Sequence, residues 1–169
     1  MGRVTMGLDL SLTAAGIVVR DGSGTILHSQ VYGFGLSKKD PESVHVGRMI
    51  SIASVVCKIA RLNDVEQVFI EGPAYNARGQ LFHLGGLHFT VQTQLWLTRR
   101  IQAVTVPSST ARKAVLGAGR APKGHPGGVK GWVADRLVEM FGEHLGDDNL
   151  NDALVMCLYA HSIAPGQGE

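Results

Sequence analysis

The sequence predicts a single α/β domain, with helices on both faces of a five-stranded mixed sheet of three antiparallel strands followed by two parallel ones. Two observations predict this fold class. Three short apolar segments separated by turn residues open the chain, which is typical of an antiparallel meander. Strands and helices then alternate, which is typical of parallel strands joined by crossover helices. We expect residues 1–164 to form the domain and the polar residues 165–169 to form a flexible tail.

The opening meander is predicted from residues 4–9, 16–20 and 26–32, which are rich in apolar and β-branched side chains. Asp9 stands where the first of these strands ends. An acidic side chain at this point is costly to bury unless it is paired or holds a cation, so Asp9 is a candidate site residue. The alternative is a turn-forming aspartate next to Ser11.

A helix and a fourth strand follow the meander. Helical spacing predicts one buried face on this helix, formed by Val46, Met49, Ile50, Ala53, Val56, Cys57 and Ala60. Residues 65–71 are predicted to be the fourth strand, because Gly72 and Pro73 stop an apolar, β-branched run there. Glu71, like Asp9, is therefore a carboxylate at the exit of an apolar strand.

The middle of the chain is predicted to contain, in order, a helix over residues 80–98, a fifth strand over 102–106, a short helix after Pro107 and a Gly/Pro-rich loop over 117–128. Gly85 and Gly86 lie inside the first of these helices, where each glycine costs roughly 1 kcal/mol relative to alanine. This pair suggests that another backbone, such as that of a second subunit, approaches the helix closely.

Two helices complete the predicted fold. The first begins near Val129 and is predicted to bury Val133, Leu137, Met140 and Phe141. The last follows Gly146 and is predicted to bury Leu150, Ala153, Leu154, Cys157, Ala160 and His161. Both cysteines fall on predicted apolar helix faces, so we expect reduced core thiols and no disulfide.

The last helix opens with further acidic residues. Asp148 and Asp152 are four residues apart, so on a helix they lie on one face. Acids in a first helical turn also favour the helix dipole, and this alternative explains Asp147 or Asp148 well. It explains Asp152 poorly, because Asp152 lies a turn further in and directly before an apolar run. Asp152 is therefore expected to face a cleft or to share a cation.

Charge is distributed unevenly along the chain, although its net value is only +2. Residues 72–134 contain no Asp or Glu but include Arg78, Arg99, Arg100, Arg112, Lys113, Arg120, Lys123 and Lys130. A purely basic segment of this length favours a polyanionic partner, because lysine and arginine displace counterions from phosphates. The alternative is a set of scattered solvated charges.

The candidate acids are Asp9, Glu71, Asp152 and one residue near Asp148. Carboxylate oxygens are the ligands that hard Mg²⁺ and Mn²⁺ ions prefer. Two such ions roughly 4 Å apart activate water and stabilise the leaving oxygen of a phosphodiester. Together with the basic segment, the acids predict metal-dependent chemistry on a nucleic acid.

The order of elements and motifs resembles the ribonuclease-H-like superfamily and, more narrowly, the RuvC-type Holliday-junction resolvases. The matching segments cover residues 3–164 and are Gly7-Leu-Asp9 with Gly16, Ile70-Glu71, residues 112–123 and Asp152-Ala-Leu. The compact length suits a bacteriophage-type member of this family. The resemblance implies a homodimeric endonuclease, dependent on two Mg²⁺ ions that Mn²⁺ can replace, which makes symmetric nicks in a four-way DNA junction.

Carried over to this sequence, the resemblance makes Asp9, Glu71 and Asp152 metal-binding and catalytic acids. Bacterial resolvases have a fourth acid three residues before the last one, and here that position is Asn149. Asp148 is the candidate for the fourth ligand, and Asp147 is an alternative.

Further residues are candidates for binding DNA. Tyr75 is the aromatic residue in the loop after Glu71, where the resemblance implies stacking on an unpaired base; a rim tyrosine covering the strand end is the alternative. The candidate phosphate contacts are Arg78, Lys113, Arg120, Lys123 and Lys130. Lys123 or Lys130 is also a candidate for stabilising charge on the scissile phosphate. Scattered histidines are more often structural, and His125, in the basic loop, is the one to test.

Three other functions are considered. Actin-like and sugar-kinase ATPases share the opening hairpin but need a second such domain, which 169 residues do not provide. A nuclease of the same fold acting on RNA, and a junction-binding protein without catalysis, remain alternatives. The first residues lack the charged-then-apolar pattern of a signal peptide, and no apolar run approaches membrane-spanning length, so we expect a cytoplasmic protein.

Overall fold

The computed structural model describes residues 2–35, 41–73 and 81–163. Its elements are β1 (Thr5–Leu10), β2 (Ala14–Arg20), β3 (Ile26–Gly33), α1 (Glu42–Leu62), β4 (Gln67–Glu71), α2 (Leu81–Arg99), β5 (Val104–Val106), α3 (Ser108–Leu116), α4 (Gly128–Phe141) and α5 (Asp148–Ser162). The predicted order of strands and helices is confirmed. The predicted tail, residues 165–169, lies outside the described residues, so the domain limits stay a prediction.

The sheet has the order β3-β2-β1-β4-β5. β1 is central and pairs antiparallel with β2 and parallel with β4, while β5 continues the sheet parallel to β4. The predicted mixed sheet, three antiparallel strands followed by two parallel ones, is confirmed. The strand order makes β1 and β4, which carry Asp9 and Glu71, direct neighbours in the sheet.

Hydrophobic cores lie on both faces of the sheet, because side chains alternate between the faces along each strand. One core contains Met6, Leu8 and Ile70 and is covered by α1 and α2. The other contains Val18 and Phe69 and is covered by α3, α4 and α5. The prediction of helices on both faces is confirmed. Asp9 and Glu71 lie on the face of the sheet that carries the second core.

Two glycines allow α5 to lie directly on the sheet. An ideal Cβ on Gly7 would lie 1.9 Å from the carbonyl oxygen of Ala153, and one on Gly16 would lie 2.4 Å from that of Asn149. Real Cβ contacts are essentially never shorter than 3.0 Å. The close contact between α5 and strands β1 and β2 therefore depends on the missing side chains at these two positions.

The buried face of α1 differs from the prediction. Val46 and Ile50 were expected to be buried, but both are exposed, and Cys57 is half-buried. Ile52 and Ile59 are buried instead. The buried face of α1 therefore includes Ile52 and Ile59 and lies further around the helix than predicted, so that it leaves out Val46 and Ile50.

Three further residues predicted to be buried are exposed: Met140, Phe141 and His161. All lie in the last turn of α4 or α5. Helical spacing predicts the side of a helix on which a residue lies, but it does not predict where the neighbouring elements stop covering that side. β5 is also two residues shorter than expected at its start, since it begins at Val104.

None of the helices within the described residues is long and apolar enough to cross a membrane.

Candidate active site

Strand register brings Asp9 and Glu71 together. Leu8 of β1 pairs with Ile70 of β4 in the parallel ladder, so Asp9 and Glu71 each follow one member of this pair. Side chains alternate between the two faces along a strand, so Asp9 lies on the same face as Gly7, and Glu71 on the same face as Phe69. This is the face covered by α5. Two carboxylates from neighbouring strands thus meet at the carboxyl ends of β1 and β4.

The third acid, Asp152, comes from α5. Carboxylate oxygens of Asp9, Glu71 and Asp152 all lie within 4.8 Å of one another, which is close enough to share a metal ion. Among the described residues, this is the cluster of potential metal ligands with such spacing. They line a cavity of about 330 Å³ together with Lys130 and Asn149. The three acids that the sequence predicts to share a cation lie together in this cavity.

The close packing of these acids changes their proton affinities. Burial, followed by the neighbouring charges of Glu71 and Asp152, raises the pKa of Asp9 to about 8. Burial and Asp152 also raise the pKa of Glu71, although a hydrogen bond from Ser108 and the charge of Arg112 oppose the shift. Without a cation, the site therefore retains protons that the same acids would lose in water.

Arg112 of α3 contacts two of the three acids. Its Nη2 lies 2.9 Å from Oδ1 of Asp152 and 3.5 Å from Oε1 of Glu71. In the sequence, Arg112 belongs to the basic segment, and its position at the acidic site is not predicted. No local signal indicates this contact, because Arg112 is about 40 residues from either partner along the chain.

The three candidates for a fourth ligand lie in different surroundings. Asp147 caps α5, since its side chain accepts hydrogen bonds from the backbone N–H groups of Asn149 and Leu150. Asp148 accepts a hydrogen bond of 2.8 Å from Nζ of Lys130. Asn149 lines the cavity with the three acids. A ligand role for Asp148 stays a prediction.

Lys130 connects the basic segment with the acidic site. It lines the same cavity, and its pKa is raised by the hydrogen bond to Asp148, with smaller contributions from the charges of Asp148, Asp152 and Asp9. Its side chain is two-thirds exposed, so it is accessible to a ligand entering from solvent.

The other predicted DNA contacts lie apart from this cavity or outside the described residues. Lys113, Arg120 and Lys123 are exposed, on α3 and in the loop after it, and none forms an ion pair with another described residue. Tyr75 and Arg78 lie outside the described residues. The assignment of all five to DNA binding stays a prediction.

His125 is held within the loop that precedes α4. Its Nδ1 lies 2.7 Å from the carbonyl oxygen of Pro126, and its Nε2 lies 3.5 Å from Oδ2 of Asp135. These contacts support the expectation that this histidine is structural.

The donor set fits a hard divalent cation. Three carboxylates supply only oxygen ligands, and they stand close enough for one cation to contact all of them. A cation would also offset the burial and the mutual repulsion that together raise the pKa of Asp9. Asp9, Glu71 and Asp152 are therefore the residues that would hold Mg²⁺ or Mn²⁺.

No protein-family model and no curated protein matches the chain, but solved structures do. A structure titled Thermus thermophilus RuvC has a TM-score of 0.72 at 21% identity, covering 94% of this chain and 93% of that one. The fold is that of RuvC. The structure of T. thermophilus RuvC with a Holliday junction substrate gives a TM-score of 0.71 at 18% identity, covering 95% of this chain and 93% of that one.

A fowlpox virus resolvase in complex with Holliday junction DNA is more distant, with a TM-score of 0.56 at 8% identity. It covers 94% of this chain and 96% of that one. The predicted ribonuclease-H-like fold is thus confirmed as a RuvC-like fold over nearly the whole chain. At these identities the likeness establishes the fold, and the function must be argued from the site.

Proposed function

We propose that this protein is a metal-dependent endonuclease that resolves four-way DNA junctions. The observation that carries the proposal is the convergence of Asp9, Glu71 and Asp152 within 4.8 Å of one another on a RuvC fold. Two of the structures with a similar fold contain, by their titles, Holliday junction DNA. Oxygen-only ligands at the end of a sheet, next to a long basic segment, suit hydrolysis of a phosphodiester.

The proposed cofactor is Mg²⁺, which Mn²⁺ can replace, with two ions per site. Two bound ions would activate a water molecule and stabilise the leaving oxygen of the phosphodiester. The protein would contribute position and charge. Asp9 and Glu71 are fixed by the β1–β4 ladder, and Asp152 by the packing of α5 on Gly7, so the three acids are held on rigid elements. Asp148 is the proposed fourth acid.

Lys130 is the proposed contact to the scissile phosphate. Its ammonium group lies at the cavity that the three acids line, and its side chain remains accessible from solvent. A fixed positive charge at this point would stabilise the additional negative charge of the transition state. Arg78, Lys113, Arg120 and Lys123 are proposed to contact other phosphates, and Tyr75 to stack on an unpaired base.

The proposed active species is a homodimer that pairs through α2. This helix has no Asp, Glu, Lys or Arg between Leu81 and Thr98, and large apolar residues lie on both its buried and its exposed sides. Its inner side buries Leu87, Val91 and Leu95. An exposed row of large apolar side chains on a helix commonly marks a contact with another protein, so the outer side of α2 is the proposed contact with a partner.

The outer side of α2 carries Phe82, Phe89 and Trp96 at seven-residue spacing, and all three are exposed. Gly85 lies among them, and a Cβ there would meet nothing within 4 Å, so another backbone can approach closely. A surface without charge is suited to pair with a second copy of itself around a two-fold axis, because no like charges oppose one another. Two active sites in one particle would allow symmetric nicks in the two strands of a junction.

Cleavage of a synthetic four-way junction in Mg²⁺, compared with linear duplex and an RNA–DNA hybrid, tests the activity. Asp9→Asn, Glu71→Gln and Asp152→Asn should each abolish cleavage but retain junction binding. Glu42→Gln, which removes an exposed acid at the start of α1, is the control and should leave cleavage unchanged. Preferred cleavage of the hybrid would indicate a ribonuclease, and junction binding without cleavage would indicate a non-catalytic junction-binding protein.

Sedimentation velocity tests the dimer. Phe89→Asp should convert the dimer to monomers, because it places a charge in the proposed interface. Leu62→Asp, at an exposed apolar position at the end of α1, should not change the association state. A dimer that survives Phe89→Asp would show that α2 is not the interface, and a monomeric native protein with junction present would reject the dimer itself.

A further inference from the structure

Arg112 places a cation of the protein itself inside the acidic cluster. Its guanidinium contacts Asp152 at 2.9 Å and Glu71 at 3.5 Å, and its side chain is only 16% exposed. These two acids are among the three whose oxygens lie close enough to share a metal ion. The guanidinium and a divalent cation would therefore be attracted to the same carboxylates.

The guanidinium and a metal ion cannot both bind the same carboxylate oxygens at full strength at the same time. A carboxylate oxygen that accepts a hydrogen bond from a guanidinium is less available as a metal ligand, and two positive charges this close together repel each other. The shorter contact is to Asp152, so Asp152 is the acid that a metal ion would have to draw away from Arg112.

The structure gives the guanidinium room to withdraw. Arg112 also lines a second cavity of about 480 Å³, next to Thr105, Ser108 and Ser109. Nε of Arg112 is buried and has no hydrogen-bond partner among the described residues, so the side chain is not fully anchored in its present position. Hydroxyl groups in the second cavity can accept hydrogen bonds from it there.

We propose that Arg112 is a built-in competitor of the metal ion, which pairs with Asp152 and Glu71 in the metal-free protein and withdraws from Asp152 when a divalent cation binds. This inference rests on the proposed function to the extent that the same three acids hold the metal. It makes Arg112 a positioning residue, which occupies Asp152 and Glu71 in the absence of metal and sets the concentration of metal at which the site fills.

Direct measurement of Mn²⁺ affinity without DNA tests the inference. Isothermal titration calorimetry at low ionic strength would compare the native protein with Arg112→Gln, Arg112→Lys and Arg61→Gln. Arg112→Gln should bind Mn²⁺ about tenfold more tightly, since it removes the competing charge, and this corresponds to roughly 1.4 kcal/mol. Arg112→Lys should restore affinity close to the native value. Arg61→Gln, which removes an exposed arginine on α1, should have no effect.

A purely structural role for Arg112 predicts the opposite sign, because acids that are no longer held together would bind Mn²⁺ more weakly. Unchanged or weaker binding by Arg112→Gln would therefore overturn the inference. If Mn²⁺ binds to none of the proteins, both the inference and the proposed metal site fail. If Arg112→Gln binds more tightly but the native protein does not cleave junctions, the inference stands and the proposed function fails.

A measurement on the unmodified protein covers the case in which Arg112→Gln does not fold. The side-chain Nε–H signal of Arg112 in a ¹⁵N-correlated NMR spectrum should shift as Mg²⁺ fills the site, because the guanidinium leaves Asp152. A signal that stays unchanged up to saturation, while the carboxyl signals of the acids respond, would show that Arg112 does not move and would overturn the inference.

Discussion

Replacing Gly7 with alanine should separate the three acids without altering any of them. The new Cβ would lie 1.9 Å from the carbonyl oxygen of Ala153, and ordinary van der Waals contact begins at 3.4 Å. The difference, about 1.5 Å, is the displacement that α5 or β1 must accommodate. Neither atom belongs to a flexible side chain, so the strain must move backbone. Because Ala153 directly follows Asp152, this displacement acts on the site itself.

Overpacking of this kind typically costs about 1–3 kcal/mol in the free energy of unfolding. A misplacement of about 1 Å at a catalytic group can reduce the rate roughly a hundredfold. We therefore expect Gly7→Ala to remain folded in the absence of denaturant, to lose stability by this amount in urea titrations, and to lose most Mn²⁺ binding and junction cleavage.

Gly33→Ala is the matched control, because Gly33 also lies in a strand but its Cβ would meet nothing within 4 Å. It should leave stability, Mn²⁺ affinity and cleavage close to native. If Gly7→Ala behaved like Gly33→Ala in all three measurements, the contact between α5 and β1 would not be what positions Asp152, and the structural basis of the site would be refuted.

Three further predictions concern the same site and its support. Binding of Mn²⁺ at pH 7 should release about one proton, because the raised pKa of Asp9, about 8, leaves it mostly protonated without metal. Calorimetry in buffers of different ionisation enthalpy would count this proton. Affinity should therefore rise with pH and level off above pH 8, and an affinity that stays constant in titrations from pH 6 to pH 9 would contradict the prediction. Asp147→Ala should lower the free energy of unfolding by about 1 kcal/mol, because it removes the cap of α5. Asp148→Ala should lower it by well under this amount, because it removes only an exposed ion pair. Equal losses of the two variants in urea titrations would refute the distinction. Leu154→Ala should cost about 2–5 kcal/mol, since Leu154 is fully buried in the core under α5, and a loss below 1 kcal/mol by the same method would argue against that packing.

Elements with a strong local pattern could be predicted from the sequence. The meander, the fourth strand and its end at Glu71 follow from short apolar runs and turn residues, and the structure confirms them. The inward side of α5 is likewise confirmed, apart from its last turn, because its apolar residues repeat at helical spacing over several turns. Predictions failed where burial depends on the neighbouring elements, as at Val46 in α1 and at Phe141 in the last turn of α4.

Some features of the candidate site could likewise be predicted from the sequence, and others could not. Asp9 and Glu71 could be found because each ends an apolar strand, and Asp152 because an acid directly before an apolar helical run is costly without a partner. The contact of Arg112 with Asp152 and Glu71 could not be found, since an arginine in a basic segment looks alike whether it faces solvent or an acid 40 residues away. The surroundings of Asp147, Asp148 and Asn149 also differ through single-residue rotations around α5, which a sequence pattern does not resolve.

The sequence by itself determined the order of strands and helices and the three acids, because hydrophobic period and turn chemistry are local properties. Tertiary structure decided which acids and cations share one cavity. Strand register sets Asp9 beside Glu71, and the absence of side chains at Gly7 and Gly16 lets α5 bring Asp152 to them. The contact of Arg112 depends on the packing of α3 against α5, and no stretch of sequence encodes that distance alone.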